Sequence, residues 1–314
     1  MMNNARGSQP ETAIAGSEPW RHNLSALRTS LQVAFQNILF ATDFSTAADR
    51  ALPYAIEIAR RSVATIHAVH VISPDNSPLL PPADWAEIVR EQEELRERRK
   101  NQLELELREL PHEFLILEGD VWKNLKDVIE SRSVDLLVLG THGHTGISKA
   151  ILGSVAEKIF RQASCPVLTV GPGVSAKAPH AAAAELNCIL YATDFSPESL
   201  AAARYTISLA KDHRAALVLL HTMEDGMGQE DLALETLKNV VPLGAGLQSE
   251  PSFMIERGAP AETILGAARK AHADLIVIGA RGAEKHLTLA THFSNSIASS
   301  VVANAFCPVL TVHS

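Results

Sequence analysis

The residues best placed to do chemistry are Gly140-Thr-His-Gly143, followed after nine residues by Gly153-Ser154. Glycine lets a backbone approach a ligand closely, and the first amides of a helix are unpaired donors at the positive end of its dipole. A loop of backbone N–H groups between Gly143 and Gly153, ending on a helix that opens at Ser154 and Val155, suits an anion such as a polyphosphate, with the Ser154 hydroxyl as one more donor. Taken alone the motif has an equal alternative, in which Gly140 only ends a strand and Gly153 only starts a helix. His142 is read as a donor to phosphate. His142-Gly-His144 lacks the helical spacing and the carboxylate or thiolate company of a metal site.

The elements that must position these residues come from a repeat. Ile38-Leu-Phe-Ala-Thr-Asp-Phe-Ser45 returns as Ile189-Leu-Tyr-Ala-Thr-Asp-Phe-Ser196, Asp135-Leu-Leu-Val-Leu-Gly140 as Asp274-Leu-Ile-Val-Ile-Gly279, and Cys165-Pro-Val-Leu-Thr-Val170 unchanged at 307–312. Asp43 and Asp194 lie 151 residues apart, whereas the middle blocks lie 139 apart and the last ones 142. Copy two therefore loses 12 residues in its middle and regains three later, changes expected in loops or a surface helix.

Within each copy short apolar runs alternate with helical patterns, the mark of parallel βαβ units and an α/β fold. In copy one the patterning predicts strands near 37–43, 65–72, 113–118, 135–140 and 166–171, and helices near 46–61, 83–109, 121–133 and 153–163. Leu136–Leu139 and Leu275–Ile278 are apolar at every position, as central strands covered on both faces should be. The Glu- and Arg-rich stretch from Trp85 to Leu110 reads as a long, largely solvated helix resting on the sheet edge through Leu95, Leu103, Leu107 and Leu110. Residues 1–34 read as a flexible extension without the apolar core of a signal peptide, and the small, Gly/Pro/Ala-rich residues 173–185 as a linker.

Composition narrows the function classes. The 314 residues allow two domains, and 46% hydrophobic with 20% charged residues excludes a disordered chain. With 28 basic against 36 acidic residues the net charge is −8, the wrong sign for a nucleic-acid partner. No apolar run approaches a membrane span. Three cysteines without a CxxC pair point to a reducing compartment, with the cytoplasm as the expected location. Cys165 and Cys307, at equivalent positions before a proline, are expected to be packed rather than reactive.

The repeat, Ala-Thr-Asp-Phe-Ser at the end of the first strand, the Gly-x2-Gly-x9-Gly-Ser spacing over 140, 143, 153 and 154, and the closing Cys-Pro-Val-Leu-Thr-Val resemble the universal stress proteins. The resemblance covers domain 1, residues 35–172, and domain 2, residues 186–314. It implies two tandem, open, five-stranded parallel sheets of Rossmann-like type in the order 3-2-1-4-5, packed as a pseudo-dimer. Asp43 and Gly140 then share a crevice at the topological switch point.

Position by position, the resemblance implies that Asp43 and the backbone of Ala41 and Thr42 line the adenine and ribose end, with Val71 meeting the base through its main chain. Gly140 and Gly143 would face ribose and phosphates, and Gly153, Ser154 and Val155 would cradle the polyphosphate. For Asp43 the competing reading is a turn residue that caps the next helix. Copy two departs from the pattern: Asp194, Gly279 and Gly282 persist, but the tenth residue after Gly282 is His292, and Asn295-Ser296 follows a three-residue insertion. Asn295-Ser296 could retain some anion affinity, or Arg281 could fill the site with its guanidinium.

The expectation is therefore one strong site per chain, in domain 1, for ATP with Mg2+. Without a Gly-Lys-Ser/Thr loop or an acid beside Ser154, a regulatory protein that binds ATP and signals to an unknown protein partner is favoured over a slow ATPase or a nucleotide-free scaffold. Homodimerisation is expected through the last-strand edges, Pro166–Val170 and Pro308–Val312.

Overall fold

A computed structural model describes residues 33–73, 85–141, 154–174, 184–223, 230–280 and 296–313. The first half contains β1 (Asn37–Ala41), α1 (Thr46–Ser62), β2 (Thr65–Ile72), α2 (Trp85–Leu107), β3 (His112–Glu118), α3 (Val121–Ser131), β4 (Leu136–Gly140), α4 (Ser154–Gln162) and β5 (Val167–Val170). The second repeats them as β6 (Cys188–Ala192), α5 (Pro197–His213), β7 (Ala216–Met223), α6 (Glu230–Val240), β8 (Ser252–Arg257), α7 (Pro260–Lys270), β9 (Leu275–Ala280), α8 (Ile297–Asn304) and β10 (Val309–His313).

The strands form one sheet in the order β3-β2-β1-β4-β5-β10-β9-β6-β7-β8. Each half is parallel and runs 3-2-1-4-5 within itself. The halves meet at an antiparallel pair with Leu310 opposite Leu168. Two buried threonines close this seam reciprocally: Thr169 Oγ1 donates to the Val309 carbonyl and Thr311 Oγ1 to the Val167 carbonyl, each at 3.2 Å. This pairing corrects the expected homodimer contact. The last-strand edges satisfy each other within one chain, and the outer edges of the sheet are β3 and β8.

All four leucine and valine positions of β4 before Gly140 are buried, as are Leu275–Ile278 of β9, because helices cover both faces there. On one face, α1 and α5 bring alanines to the sheet and touch each other across the seam, so a single apolar core runs from Ile38 and Leu136 through Leu168 and Leu310 to Leu275 and Tyr191. On the other face the two halves have separate cores, under α3 and α4 in one and α7 and α8 in the other, except that Phe160 of α4 packs into the core of the second half. The lost residues of copy two fall in the surface helix: α2 has 23 residues and α6 has 11. Leu103 and Leu107 of α2 are buried as expected, but Leu95 is 54% exposed. It lies about two turns nearer the N-terminus of the helix.

Most of the expected N-terminal extension lies outside the described residues. At its end the Val33 N–H donates to Ser208 Oγ of α5, and buried Phe35 stacks on Tyr205. The linker is described only at its ends, where Val174 and Ala184 are buried. No helix among the described residues is long and apolar enough to cross a membrane. Cys165 and Cys307 are buried, and burial pushes both thiols up to about 12, so they stay protonated and unreactive at neutral pH.

The α1–α5 contact also encloses a charged cluster. Glu57 is 2% exposed and accepts from Arg61 Nε at 2.9 Å, with His213 Nδ1 at 3.9 Å; Arg61 Nη1 donates to the Asp212 carbonyl. Buried His213 Nε2 has no hydrogen-bond partner among the described residues. Burial pushes the imidazole down to about 4, with Arg61 adding to the effect and Glu57 opposing it. Because the folded pKa lies below the unfolded one, the unfolded chain takes up the proton first as pH falls. Stability should then drop by up to about 1.4 kcal/mol per pH unit between about 6.5 and 4, and should be indifferent to this group above that window. Urea denaturation of wild type and His213→Asn at pH 7.5 and 5.0 checks this: the wild type should lose more on acidification, and equal losses would remove His213 from the account.

Candidate functional site

The site is built where β1 and β4 part. The chain leaves β1 at Ala41 and turns sharply into α1, and the turn is held by its own side chains. The Thr42 N–H donates to the Val69 carbonyl at 2.9 Å, the Phe44 N–H to Thr42 Oγ1 at 3.0 Å, and the Ser45 N–H to Asp43 Oδ1 at 2.9 Å. Ser45 caps α1 by accepting from the Ala48 N–H. Asp43 is thus a turn residue, as the competing reading held, although the cap itself is Ser45.

Phe44 has φ 60, a left-handed conformation uncommon for a bulky residue. That twist lays its ring against His70 at 4.5 Å, and His70 Nδ1 donates to the Thr42 carbonyl at 2.9 Å, which fixes the proton on that nitrogen. Copy two repeats the arrangement. Phe195 has φ 62 and lies 4.4 Å from His221, and His221 Nδ1 donates to the Thr193 carbonyl at 2.8 Å. The sequence reading missed these phenylalanine–histidine pairs, although His70 and His221 are separated by the same 151 residues as the two aspartates.

On the other side of the split, β4 ends at Gly140. A Cβ there would lie 2.6 Å from the Ala47 carbonyl carbon, so the glycine lets the first turn of α1 rest directly on the strand end. Its reason is therefore partly packing. Thr141 follows, 1% exposed, with its N–H donating to the Val170 carbonyl.

The structure therefore brings together Ala41, Thr42, Asp43 and Gly140 around the split, with Val71 at the end of β2, two residues past Val69, the partner of Ala41. Both main-chain polar groups of Thr42 already have partners inside the protein. Ser154 and Val155 open α4, and Val155 is 40% exposed. His142, Gly143 and Gly153 lie outside the described residues, as do His144, Arg281 and Asn295. No group of three metal-ligating side chains occurs among the described residues.

In copy two the corresponding crevice is described more fully. It has a volume of about 560 Å3, mouth included, and is lined among others by Asp194, Ser199, Thr222, Gly279 and the start of α8 at Ile297 and Ala298. Ser296 caps α8 by accepting from the Ser299 N–H. Burial pushes the Asp194 carboxyl up, but hydrogen bonds from the Ser196 hydroxyl and N–H and from Ser199 outweigh it and hold the group below the usual carboxylate range.

The fold is shared by known proteins. The model of the universal stress protein family matches residues 34–171 and again residues 186–313. The chain belongs to the universal stress protein family. One half of this universal stress protein is 34% identical over 144 residues to a universal stress protein of Methanocaldococcus jannaschii, covering 43% of this chain and 82% of that one. Another relative, universal stress protein A homolog 1 of Coxiella burnetii, is 32% identical over 143 residues, 43% of this chain and 96% of its own. A solved universal stress protein from Archaeoglobus fulgidus superposes on the tandem arrangement with a TM-score of 0.68, covering 88% of this chain and 98% of its own at 24% identity, a likeness that shows the fold.

Proposed function

We propose that this universal stress protein binds ATP in the domain 1 crevice and acts as a stress-response regulatory protein. The observation that carries this reading is the convergence of the Asp43 turn and Gly140 at the split between β1 and β4, where open α/β sheets bind ligands. The residues fit such a guest at the positions described. Asp43 brings a carboxylate to the strand end, and α4 opens at Ser154, a helix start of the kind whose amides suit an anion. Copy two supports the placement of that helix, because the start of α8 lines the crevice there together with Asp194 and Gly279.

Ala41, Thr42, Asp43 and Val71 would meet base and ribose, and Gly140, His142, Gly143, Gly153, Ser154 and Val155 the phosphates, with Mg2+ accompanying them. ATP is held rather than turned over, since the sequence offers no Gly-Lys-Ser/Thr loop to stabilise charge in transfer. Occupancy is read by a protein partner. The test is to denature protein purified in magnesium and quantify released nucleotide by chromatography. About one ATP per chain is expected. A chain that releases none and shows no ATP binding by calorimetry would make it a nucleotide-free scaffold.

A further inference from the structure

The two crevices share an architecture but not a lining. From β1 through β2 the repeat keeps its 151-residue offset without a gap, so α1 aligns with α5 and β2 with β7 residue for residue. At the positions of Ala47, Ala48 and Val71 in domain 1, domain 2 carries Glu198, Ser199 and Thr222, and all three line its cavity. Three apolar positions have become one carboxyl and two hydroxyls. Glu198 is only 7% exposed and sits in the first turn of α5, facing the same space as Asp194. A buried carboxyl added to the lining of the crevice repels a phosphate directly. The sequence differs at the phosphate motif as well, with Asn295 at the position of Gly153 in domain 1.

We infer that the domain 2 crevice binds a nucleoside without its phosphates, its hydroxyl and amino donors meeting the Asp194 and Glu198 carboxyls and the Thr222 hydroxyl. The inference rests on the nucleotide reading of domain 1, because the shared turn at Thr42–Asp43 and Thr193–Asp194 is what makes the base and ribose end common to both. One chain would then hold two related ligands that differ in their phosphates, at the two splits within one sheet.

Adenosine and ATP form the matched pair of probes, since they differ only in the triphosphate. The full chain is saturated with ATP and titrated with adenosine by calorimetry. One adenosine per chain is expected to bind without displacing ATP, and Glu198→Ala with Thr222→Val should weaken it at least tenfold while ATP stays at one per chain. Alanine and valine are the residues domain 1 carries at these positions, so the variant should fold. Two ATP per chain in the wild type, with adenosine competing for one of them, would overturn the inference, as would no adenosine binding to the saturated chain. If no ATP binds at all, the domain 1 reading has failed. Adenosine titrated into the ATP-free chain then decides domain 2 separately: one site sensitive to the paired substitutions supports it, and none overturns it.

Discussion

Gly279→Ala is expected to cost about 3 kcal/mol of stability, and Gly140→Ala about as much, the upper part of the usual range for overpacking. A Cβ at Gly279 would lie 2.4 Å from the Ser199 N and Cα and 2.6 Å from the Glu198 carbonyl carbon; at Gly140 it would lie 2.6–2.8 Å from backbone atoms of Ala47 and Ala48. Backbone neighbours cannot rotate away as a side-chain tip would. The whole helix start would have to move, and it is anchored by a serine cap and a carboxylate turn in both copies. Gly266 supplies the contrast, because a Cβ there meets nothing within 4 Å and the residue is helical. Gly266→Ala should therefore be neutral or stabilising by up to about 1 kcal/mol. Urea midpoints of the three variants test this, and a Gly279→Ala protein as stable as Gly266→Ala would refute the packing account. One consequence concerns the nucleotide motif. Since Gly140 has a packing reason of its own, lost ligand binding in Gly140→Ala would not by itself show contact with the ligand.

Much of this architecture was legible because the repeat and the strand patterns are local signals. The continuous apolar runs at 136–139 and 275–278 announced central strands, and the missing residues of copy two were bound to fall where little is buried, as the shortened α6 shows. What escaped depends on distant partners. For Pro166–Val170 and Pro308–Val312 the resemblance implied both a pseudo-dimer within the chain and a homodimer of chains, because a sequence alone does not say whether an apolar edge meets a second chain or its own repeat. The Phe44–His70 pair joins a turn to the next strand through a left-handed phenylalanine that propensity disfavours, and only the common offset of His70 and His221 could have exposed it. Glu57 reads as an ordinary helical acid with Arg61 one turn on; its burial comes from the approach of α5, which copy one alone cannot foretell. At the site, Asp43 illustrates the limit well, because its turn role and its proposed ligand role call for the same residue at the same place.

Gly153→Glu is expected to abolish ATP binding, by at least 100-fold in affinity or about 2.8 kcal/mol, whereas Asn295→Glu should leave the bound ATP at one per chain. Gly153 immediately precedes Ser154, the first residue of α4, so a carboxylate introduced there would compete with phosphate for the amides of that helix start and repel it as well. Asn295 is the residue before the Ser296 cap of α8, and the start of that helix lines a crevice that already has two carboxyls, so another acid at this position changes little for a ligand bound elsewhere. Fold stability should be similar in the two variants and is read in the same samples by thermal denaturation. Released nucleotide then gives the answer directly. Loss of ATP from both variants with folding intact would mean that the two crevices act as one system or that both hold triphosphate, and the division of labour between the copies would have to be abandoned. Retention in Gly153→Glu would place the nucleotide away from the domain 1 helix start.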